Sequence, residues 1–246
     1  LAGMTPLRYV EITGTQFYHT GLRPSDHQIE VEFMTITYVD NGYIFGTEAS
    51  NAWNYPHFSE CNHNYCWGYA GSQGTSSGKK STDTGKLHRL IYNRVGDHAI
   101  VLDGTVLASG NNCATTANVH IGRRSGSTNY KGRIYSFRAT DRATGEVVVD
   151  MVPAKSADGV IGFFDRVTGR FIGPSGSSTS SVLGPEAPFS DFSVSPVPVQ
   201  HDWSGGAGRP STGATPALVV SNLTAGVELE QRVHYTVSYS DNVSNG

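Results

Sequence analysis

Apolar and polar side chains alternate with a period of two residues along most of the chain. In the segment 28–38, QIEVEFMTITY, every second residue is apolar from Ile29 through Phe33, and the residues between them are polar. This alternation is typical of a strand in an antiparallel sheet with one face on a core and the other in water. Since no segment shows the apolar stripe of an amphipathic helix, the pattern predicts an all-β protein.

Turn residues divide the chain into strand-length segments and into larger regions. Asp103-Gly104 separates two β-rich arms and predicts a two-residue hairpin turn, because both residues tolerate positive φ. From Pro174 onward, Ser, Gly and Pro become frequent, as in a linker. A second, shorter β pattern then runs to the end of the chain. We therefore divide the chain into a β module at 1–184, a linker at 185–196 and an incomplete β segment at 197–246.

Composition and charge narrow the classes of partner. The 29 glycines suit a protein rich in strands and turns. The net charge of -3 comes from scattered residues and leaves no basic stripe to neutralise phosphates, so we predict no nucleic-acid partner. No apolar run is long enough to cross a bilayer, so we predict no membrane insertion within this chain. The chain starts without Met and ends within a β pattern, so we expect it to be part of a longer protein.

Three stretches resemble the concanavalin A-like, laminin G-like jelly-roll modules of bacterial surface proteins and some phage tail proteins. They are YVEITGTQFYHTGLRP, TGKLHRLIYNRVGDHAIVLDG and GRIYSFRATDRATGEVVVDMVPAKSADGVIGFFDRVTGRFIGPSGS. The resemblance covers roughly the first three quarters of the chain. It implies a two-sheet antiparallel sandwich, in agreement with the alternation of apolar and polar residues.

The end of the chain is similar to the first part of a bacterial immunoglobulin-like repeat. The similarity rests on TPALVVSNLTAGVELEQRVHYTVSYSDNVSNG, with its aromatic-rich strand YTVSYSDN. The expected fold is therefore an all-β, concanavalin A-like jelly-roll sandwich followed by a partial immunoglobulin-like β segment. Together the two resemblances imply an extracellular or bacterial cell-surface location, where a disulfide would persist.

The stretch SECNHNYCWGYAG, residues 59–71, carries two of the three cysteines. If NHNY is a four-residue hairpin loop, Cys61 and Cys66 face one another at a distance that a disulfide can span. Free thiols or a bond to Cys113 are the alternatives. A zinc site would use Cys61, Cys66, His57 and His63, but C-x4-C is a long spacing and no second ligand pair follows. We predict the Cys61–Cys66 disulfide and no metal.

The same hairpin carries alternate aromatic residues on one predicted face, namely Phe58, Tyr65, Trp67 and Tyr69, together with Glu60. They form either part of the core or an exposed platform on which a sugar ring stacks. An unpaired buried carboxylate is costly, so Glu60 favours the exposed alternative. The residues predicted to bind ligand are Trp53, Tyr55, His63 and Trp67.

Sequence signs of catalysis are weak. The resembling glycosidases carry closely spaced carboxylates on one strand, whereas Glu30 and Glu32 both lie on the predicted wet face. No hydrolase, metalloprotease or nucleotide-binding motif is present. Five aspartates in turns could hold calcium but are more simply turn-forming residues: Asp40, Asp97, Asp103, Asp141 and Asp165. We predict neither a catalytic residue nor a cofactor.

These observations favour a non-catalytic module of a secreted or cell-surface bacterial protein that binds a glycan or another host or cell-surface ligand. The first alternative is a spacer or adhesin segment without a small-molecule ligand. The second is a remote glycoside hydrolase. The fold alone does not choose between them, because this sandwich carries many functions.

Overall fold

The computed structural model describes residues 4–47, 56–69, 72–75, 83–110, 115, 117–124, 130–176, 182–183, 192–196, 218–222 and 227–229. The chain divides into two compact units, Leu1–Glu186 and Ala187–Gly246. All regular secondary structure in the described residues is β, and every strand pair there is antiparallel. This part of the chain holds no helix with the length and apolarity of a membrane span.

The first unit contains two sheets, and strands are numbered along the chain. The larger sheet has eleven strands: β1 (Thr5–Pro6), β2 (Val10–Thr13), β4 (His27–Thr35), β9 (Leu87–Tyr92), β10 (Ile100–Leu102), β11 (Thr105–Ala108), β13 (Lys131–Asp141), β14 (Val147–Lys155), β15 (Ile161–Asp165), β16 (Arg170–Ile172) and β18 (Val182–Leu183). Its main order is β11-β10-β9-β4-β13-β14-β15-β16, with β1 on β14, β2 on β13 and β18 on β2.

The smaller sheet has seven strands in the order β17-β3-β12-β5-β6-β7-β8. Their bounds are β3 (Gln16–His19), β5 (Tyr43–Thr47), β6 (His57–Cys61), β7 (Asn64–Tyr69), β8 (Ser72–Thr75), β12 (Val119–Ile121) and β17 (Ser175–Gly176). Sequence neighbours β6 and β7 pair directly, whereas β3, β12 and β5 are brought together from distant parts of the chain.

Aromatic contacts join the two sheets along their length. Phe33 on β4 lies 6.2 Å, centroid to centroid, from Phe58 on β6. Elsewhere Tyr18 on β3 meets Phe163 on β15 at 4.9 Å, and Phe45 on β5 meets Tyr92 on β9 at 5.1 Å. All six rings are at least nine-tenths buried. The sheets therefore pack face to face as a sandwich, and the predicted two-sheet antiparallel fold is confirmed.

Local predictions for two segments are also confirmed. In β4, Ile29, Val31 and Phe33 are fully buried, whereas the intervening polar side chains are half-buried on the outer face. In the turn between β10 and β11, Asp103 and Gly104 have φ values of 49° and 77°. Two positive φ values suit the right-handed twist of a tight hairpin.

The second unit contains a three-stranded antiparallel sheet, β19-β20-β21. The strands are β19 (Phe192–Pro196), β20 (Leu218–Asn222) and β21 (Val227–Leu229). The domain bounds stay a prediction. Residues 192–196, at the end of the predicted linker, form β19 and pair with β20. In FSVSP, Ser alternates with other residues, which is the period of a strand. The immunoglobulin-like assignment of 197–246 stays a prediction.

Candidate ligand-binding site at a hairpin tip

The β6–β7 hairpin turns through two residues, Asn62 and His63, and not through the expected four-residue loop. Both residues have positive φ, at 44° and 60°. In the resulting register, Cys61 pairs with Asn64 and Glu60 pairs with Tyr65. Asn accepts the left-handed conformation at low cost, and the two-residue turn fits the twist of the strands. Because the register differs from the predicted one by two residues, each side chain still lies on its predicted face.

The aromatic face of this hairpin is in the core, so the prediction of an exposed aromatic platform was wrong. Phe58 and Tyr65 are fully buried, and Trp67 retains only 4% of its accessible surface. Phe58 and Tyr65 stack with their centroids 5.4 Å apart, and Tyr65 also contacts Phe33 of the opposite sheet. Trp67 therefore cannot offer a ring face to a sugar, and the alternative that placed these aromatics in the core is confirmed.

Trp67 lies against the neighbouring strand β8 at a glycine. Trp67 pairs with Gly74, and a Cβ atom placed on Gly74 would come within 2.5 Å of the indole ring. Real Cβ contacts are never this short, so glycine makes room for the indole between the strands. This close approach explains why the ring is enclosed although β8 lies at the end of the sheet path.

Glu60 is fully buried, contrary to the outward orientation expected from its charge. Its carboxylate accepts hydrogen bonds from the Thr35 hydroxyl at 2.5 Å and from the Val39 backbone N–H at 3.1 Å. The cost of burying a polar group falls when it is hydrogen-bonded, which the sequence pattern could not show. Burial nevertheless dominates and raises the pKa of Glu60 to about 7, despite both of these stabilising hydrogen bonds.

Glu60 also holds the loop that follows β4. Besides the side-chain bond to Val39, its backbone N–H donates to Gly42 O at 2.9 Å and its carbonyl accepts from Asn41 N–H at 2.9 Å. The loop closes as a tight turn, with Gly42 N–H donating to Val39 O at 2.8 Å and Asn41 at a φ of 60°. This arrangement presents Asp40 and its neighbour Tyr38 next to the hairpin tip.

Asp40 and Tyr38 form hydrogen bonds with the backbone of the two-residue turn. The Asp40 carboxylate accepts from Asn62 N–H at 2.8 Å and from the Tyr38 hydroxyl at 2.8 Å. The Tyr38 hydroxyl in turn accepts from His63 N–H at 3.0 Å. The rings of Tyr38 and His63 lie 4.7 Å apart at an interplanar angle of 31°. The turn therefore has both backbone N–H groups bonded, and its exposed histidine packs against the Tyr38 ring.

We define the hairpin tip as Tyr38, Asp40, Asn62, His63 and Asn64. Asp40, Asn62 and His63 are exposed, and Tyr38 and Asn64 are half-buried. The Asn62 N–H and then the Tyr38 hydroxyl lower the pKa of Asp40, so its carboxylate is charged at neutral pH. Two adjacent rings beside a fixed carboxylate and two amides offer stacking together with hydrogen bonding, the combination that sugar hydroxyls and ring faces require.

The predicted ligand residues are thus only partly described. His63 is exposed at the tip, whereas Trp67 is buried in the core. Trp53 and Tyr55 lie outside the described residues, as does Cys113. Tyr38 and Asp40 were not predicted as binding residues, because they are 25 and 22 positions away from their partners in the turn. The motif Tyr-x-Asp-Asn-Gly before a strand was the available signal.

Cys61 and Cys66 lie on the face of the hairpin opposite to the core aromatics. Their Cα atoms are 5.8 Å apart and their sulfur atoms are in bonding contact. This Cα separation is within the range of disulfides, so the geometry supports the predicted bond. Such a bond would fix the two strands directly below the tip.

We expect the oxidised chain to contain one free thiol of its three cysteines after denaturation without reductant, and three after reduction. Thiol titration checks this count. Replacing both Cys61 and Cys66 with Ser should leave one thiol in either condition. Because the closed loop is short, this double variant should lose stability only toward the low end of about 0–5 kcal/mol. Three thiols in the unreduced wild-type chain would show that the bond is absent.

The described residues do not support the metal alternatives. No three His, Cys, Asp or Glu side chains there gather closely enough to hold a metal ion. Each of the five turn aspartates accepts a hydrogen bond from the backbone N–H of a nearby or facing residue: Asp40 from Asn62, Asp97 from Ala99, Asp103 from Arg89, Asp141 from Ala143 and Asp165 from Val167. Their interpretation as structural turn residues is confirmed.

The carboxylates of β4 also have structural partners. Glu30 forms an ion pair with Arg89 at 2.8 Å, and Glu32 accepts from the Ser136 hydroxyl at 3.2 Å. Both side chains are on the outer face, as predicted. Neither lies in the enclosed, desolvated setting that separates the pKa values of a glycosidase acid and nucleophile.

No protein-family model matches the chain. No curated protein matches it either. Among solved structures, it is similar to a proposed carbohydrate-binding protein from Bacteroides ovatus ATCC 8483, with 13% identity over 73% of this chain and a TM-score of 0.50. It also matches domains LG4-5 of the mouse laminin α1 chain, with 14% identity over 60% of this chain, 43% of that one and a TM-score of 0.37.

The likeness to the Bacteroides ovatus protein concerns the fold. This chain spans about three fifths of that protein, with 61% of it covered. At this identity the similarity supports the two-sheet antiparallel sandwich that the strand pairing shows. The chain thus contains an all-β, two-sheet antiparallel sandwich.

Proposed function

We propose that the first unit is a non-catalytic carbohydrate-binding module and that the hairpin tip contacts the glycan. The observation that carries the proposal is the contact of the exposed His63 ring with the half-buried Tyr38 ring, at 4.7 Å between centroids, beside the Asp40 carboxylate. The outward ring surface would stack on a pyranose ring, and Asp40 would accept hydrogen bonds from its hydroxyls. Trp53 and Tyr55, which the sequence predicts to bind ligand, stay part of the proposal.

The tip is suited to binding because its backbone is fixed before a ligand arrives. Asp40 bonds Asn62, Tyr38 bonds His63, and buried Glu60 holds Val39 in place. A prearranged site loses less conformational entropy on binding than a disordered loop. The Asp40 Oδ2 atom is bonded only weakly, by the Asn41 amide at 3.3 Å, and so it can accept a ligand hydroxyl.

Three further observations support the proposal. The Bacteroides ovatus protein of similar fold is itself proposed to bind carbohydrate. The disulfide geometry at Cys61 and Cys66 suits an oxidising location, as expected of an extracellular or cell-surface protein. The positions of Glu30 and Glu32 favour binding over hydrolysis.

A glycan array probed with the full chain tests the proposal. Asp40→Asn removes the charge of one acceptor, and His63→Asn removes a ring while keeping a residue that tolerates positive φ. We expect Asp40→Asn to weaken binding to the captured glycan about 10-fold or more, since hydrogen bonds to charged groups are strong. We expect His63→Asn to weaken it about 3- to 10-fold through lost stacking.

Asp158→Asn is the matched control, because Asp158 is an exposed turn aspartate that is not part of the tip. It should bind with wild-type affinity. Absence of any bound glycan on a broad array would remove the carbohydrate proposal. Wild-type affinity of both tip variants would instead remove the tip as its site.

A further inference from the structure

A second polar and aromatic cluster lies on the outer face of the smaller sheet, on strands β3 and β12. His19 and His120 are paired across these strands, and His19 Nδ1 is 2.8 Å from His120 Nε2. The Phe17 ring lies 5.0 Å from the His19 ring and 5.5 Å from the His120 ring. The Arg123 guanidinium, just after β12, lies 4.2 Å above the Phe17 centroid.

The Arg123 guanidinium has no anionic partner among the described residues. Its Nε atom is buried without a hydrogen-bond acceptor, and no carboxylate there forms an ion pair with it. Stacking on an aromatic ring satisfies the face of a guanidinium but leaves its N–H donors, which lie in its plane, without acceptors. These donors therefore favour an added acceptor, and an anionic one most strongly.

The larger sheet contains a similar arginine–aromatic pair in which the arginine also has a carboxylate partner. The Arg133 guanidinium also lies 4.2 Å above an aromatic centroid, that of Tyr9. There, Arg133 Nε donates to the Glu11 carboxylate at 2.9 Å. The two arginines thus lie at the same distance from a ring and differ in that, within the described part of the chain, only Arg133 has a carboxylate partner. Because Arg123 Nε is buried, an external oxyanion would bind the terminal Nη donors of Arg123.

His19 offers a second contact beside Arg123. Its ring is exposed, and its Nδ1 atom is engaged by His120, which leaves Nε2 directed away from that partner. When His120 Nε2 donates to His19 Nδ1, the His19 Nε2 atom carries the proton and can donate to a ligand. Because both groups contact the Phe17 ring, the guanidinium carbon and the His19 centroid are at most about 9 Å apart.

We infer that Arg123 and His19 form a subsite for the carboxylate or sulfate group of an acidic sugar. Arg123 binds the oxyanion through in-plane N–H donors, and His19 donates to the anion or to a ring hydroxyl beside it. The oxyanion contact is independent of the hairpin tip, and only the sugar assignment rests on the proposed function.

Isothermal titration of the full chain with glucuronate, glucose and inorganic sulfate tests this inference. We expect saturable binding of glucuronate and none of glucose. Arg123→Gln should weaken glucuronate binding about 10- to 100-fold, as loss of a charge-assisted hydrogen bond predicts. Arg133→Gln is the matched control and should keep wild-type affinity, because its guanidinium already has Glu11. Circular dichroism spectra establish that each variant is folded.

The outcomes separate this subsite from the tip. Unchanged affinity of folded Arg123→Gln, or no saturable glucuronate binding by the wild-type chain, overturns the inference. Equal affinity for sulfate and glucuronate overturns the acidic sugar and leaves an inorganic oxyanion. His63→Asn should not alter glucuronate binding here, so failure of the tip proposal and failure of this inference are distinguishable. Arg123→Lys, which keeps the charge without the planar donors, should fall between wild type and Arg123→Gln.

Discussion

Replacing Trp67 with alanine should lower the free energy of unfolding by about 3–5 kcal/mol, the usual cost of deleting a large core side chain. Trp67 is 4% exposed and belongs to the core cluster. The space beside it at Gly74 is bounded by backbone, so the cavity left by the indole cannot easily collapse. Urea denaturation followed by circular dichroism measures this loss.

Two further substitutions control the Trp67 experiment. Val106 is 51% exposed, so Val106→Ala should change stability by less than about 0.5 kcal/mol. Trp67→Phe should cost less than Trp67→Ala, because it retains a ring. Any glycan that the module binds should still bind folded Trp67→Ala, since the indole offers no exposed face. A near-neutral effect of Trp67→Ala on unfolding would contradict its position in the core.

The stability of the first unit should fall as pH rises between about 4.5 and about 7, and Glu60 should cause much of the decrease. Burial raises the pKa of Glu60 from 4.5 to about 7 in the folded chain. The folded state therefore retains a proton that the unfolded state has lost over this range. Its contribution to stability is fully present below pH 4.5 and is lost as pH rises through 7. The full difference amounts to about 3 kcal/mol.

Glu60→Gln should remove this part of the pH dependence and be more stable than wild type at pH 8. A Gln side chain can accept from Val39 N–H and donate to the Thr35 hydroxyl, which can reverse its role. Urea denaturation at pH 5, 6, 7 and 8 provides the comparison. Glu32→Gln is the matched control, because Glu32 is half-exposed on the outer face of β4. Equal slopes in wild type and Glu60→Gln would rule out Glu60 as the titrating group.

The strands and their faces could be predicted because alternation reports directly which side chains share a surface. In β4 this was sufficient, since one face is buried and the other is wet. In β6 all five residues are buried, so polarity no longer distinguishes the core face from the covered outer face. Trp67, on the neighbouring strand β7, was predicted to bind ligand, although its ring is in the core.

The candidate site was less predictable because it depends on contacts between distant segments. Nothing in the local pattern of Glu60 shows that Thr35 and Val39 bond its carboxylate, and the cost of an unpaired charge pointed the wrong way. The Tyr38–His63 ring contact likewise requires the β4–β5 loop to lie beside the β6–β7 turn. A hairpin turn of two residues in place of four also changes the partners while leaving the faces unaltered.

The β6–β7 strands are enclosed, whereas their turn faces water, so residues at the turn can vary without changing the core. Substitutions at Tyr38, Asp40 and Asn64 alter what the molecule presents to its surroundings without entering the interior. At Asn62 and His63 the backbone restricts the choice to residues that accept positive φ, chiefly Asn, Asp and Gly. One scaffold can therefore be diversified toward new targets by changing a handful of codons, in nature or in a display library.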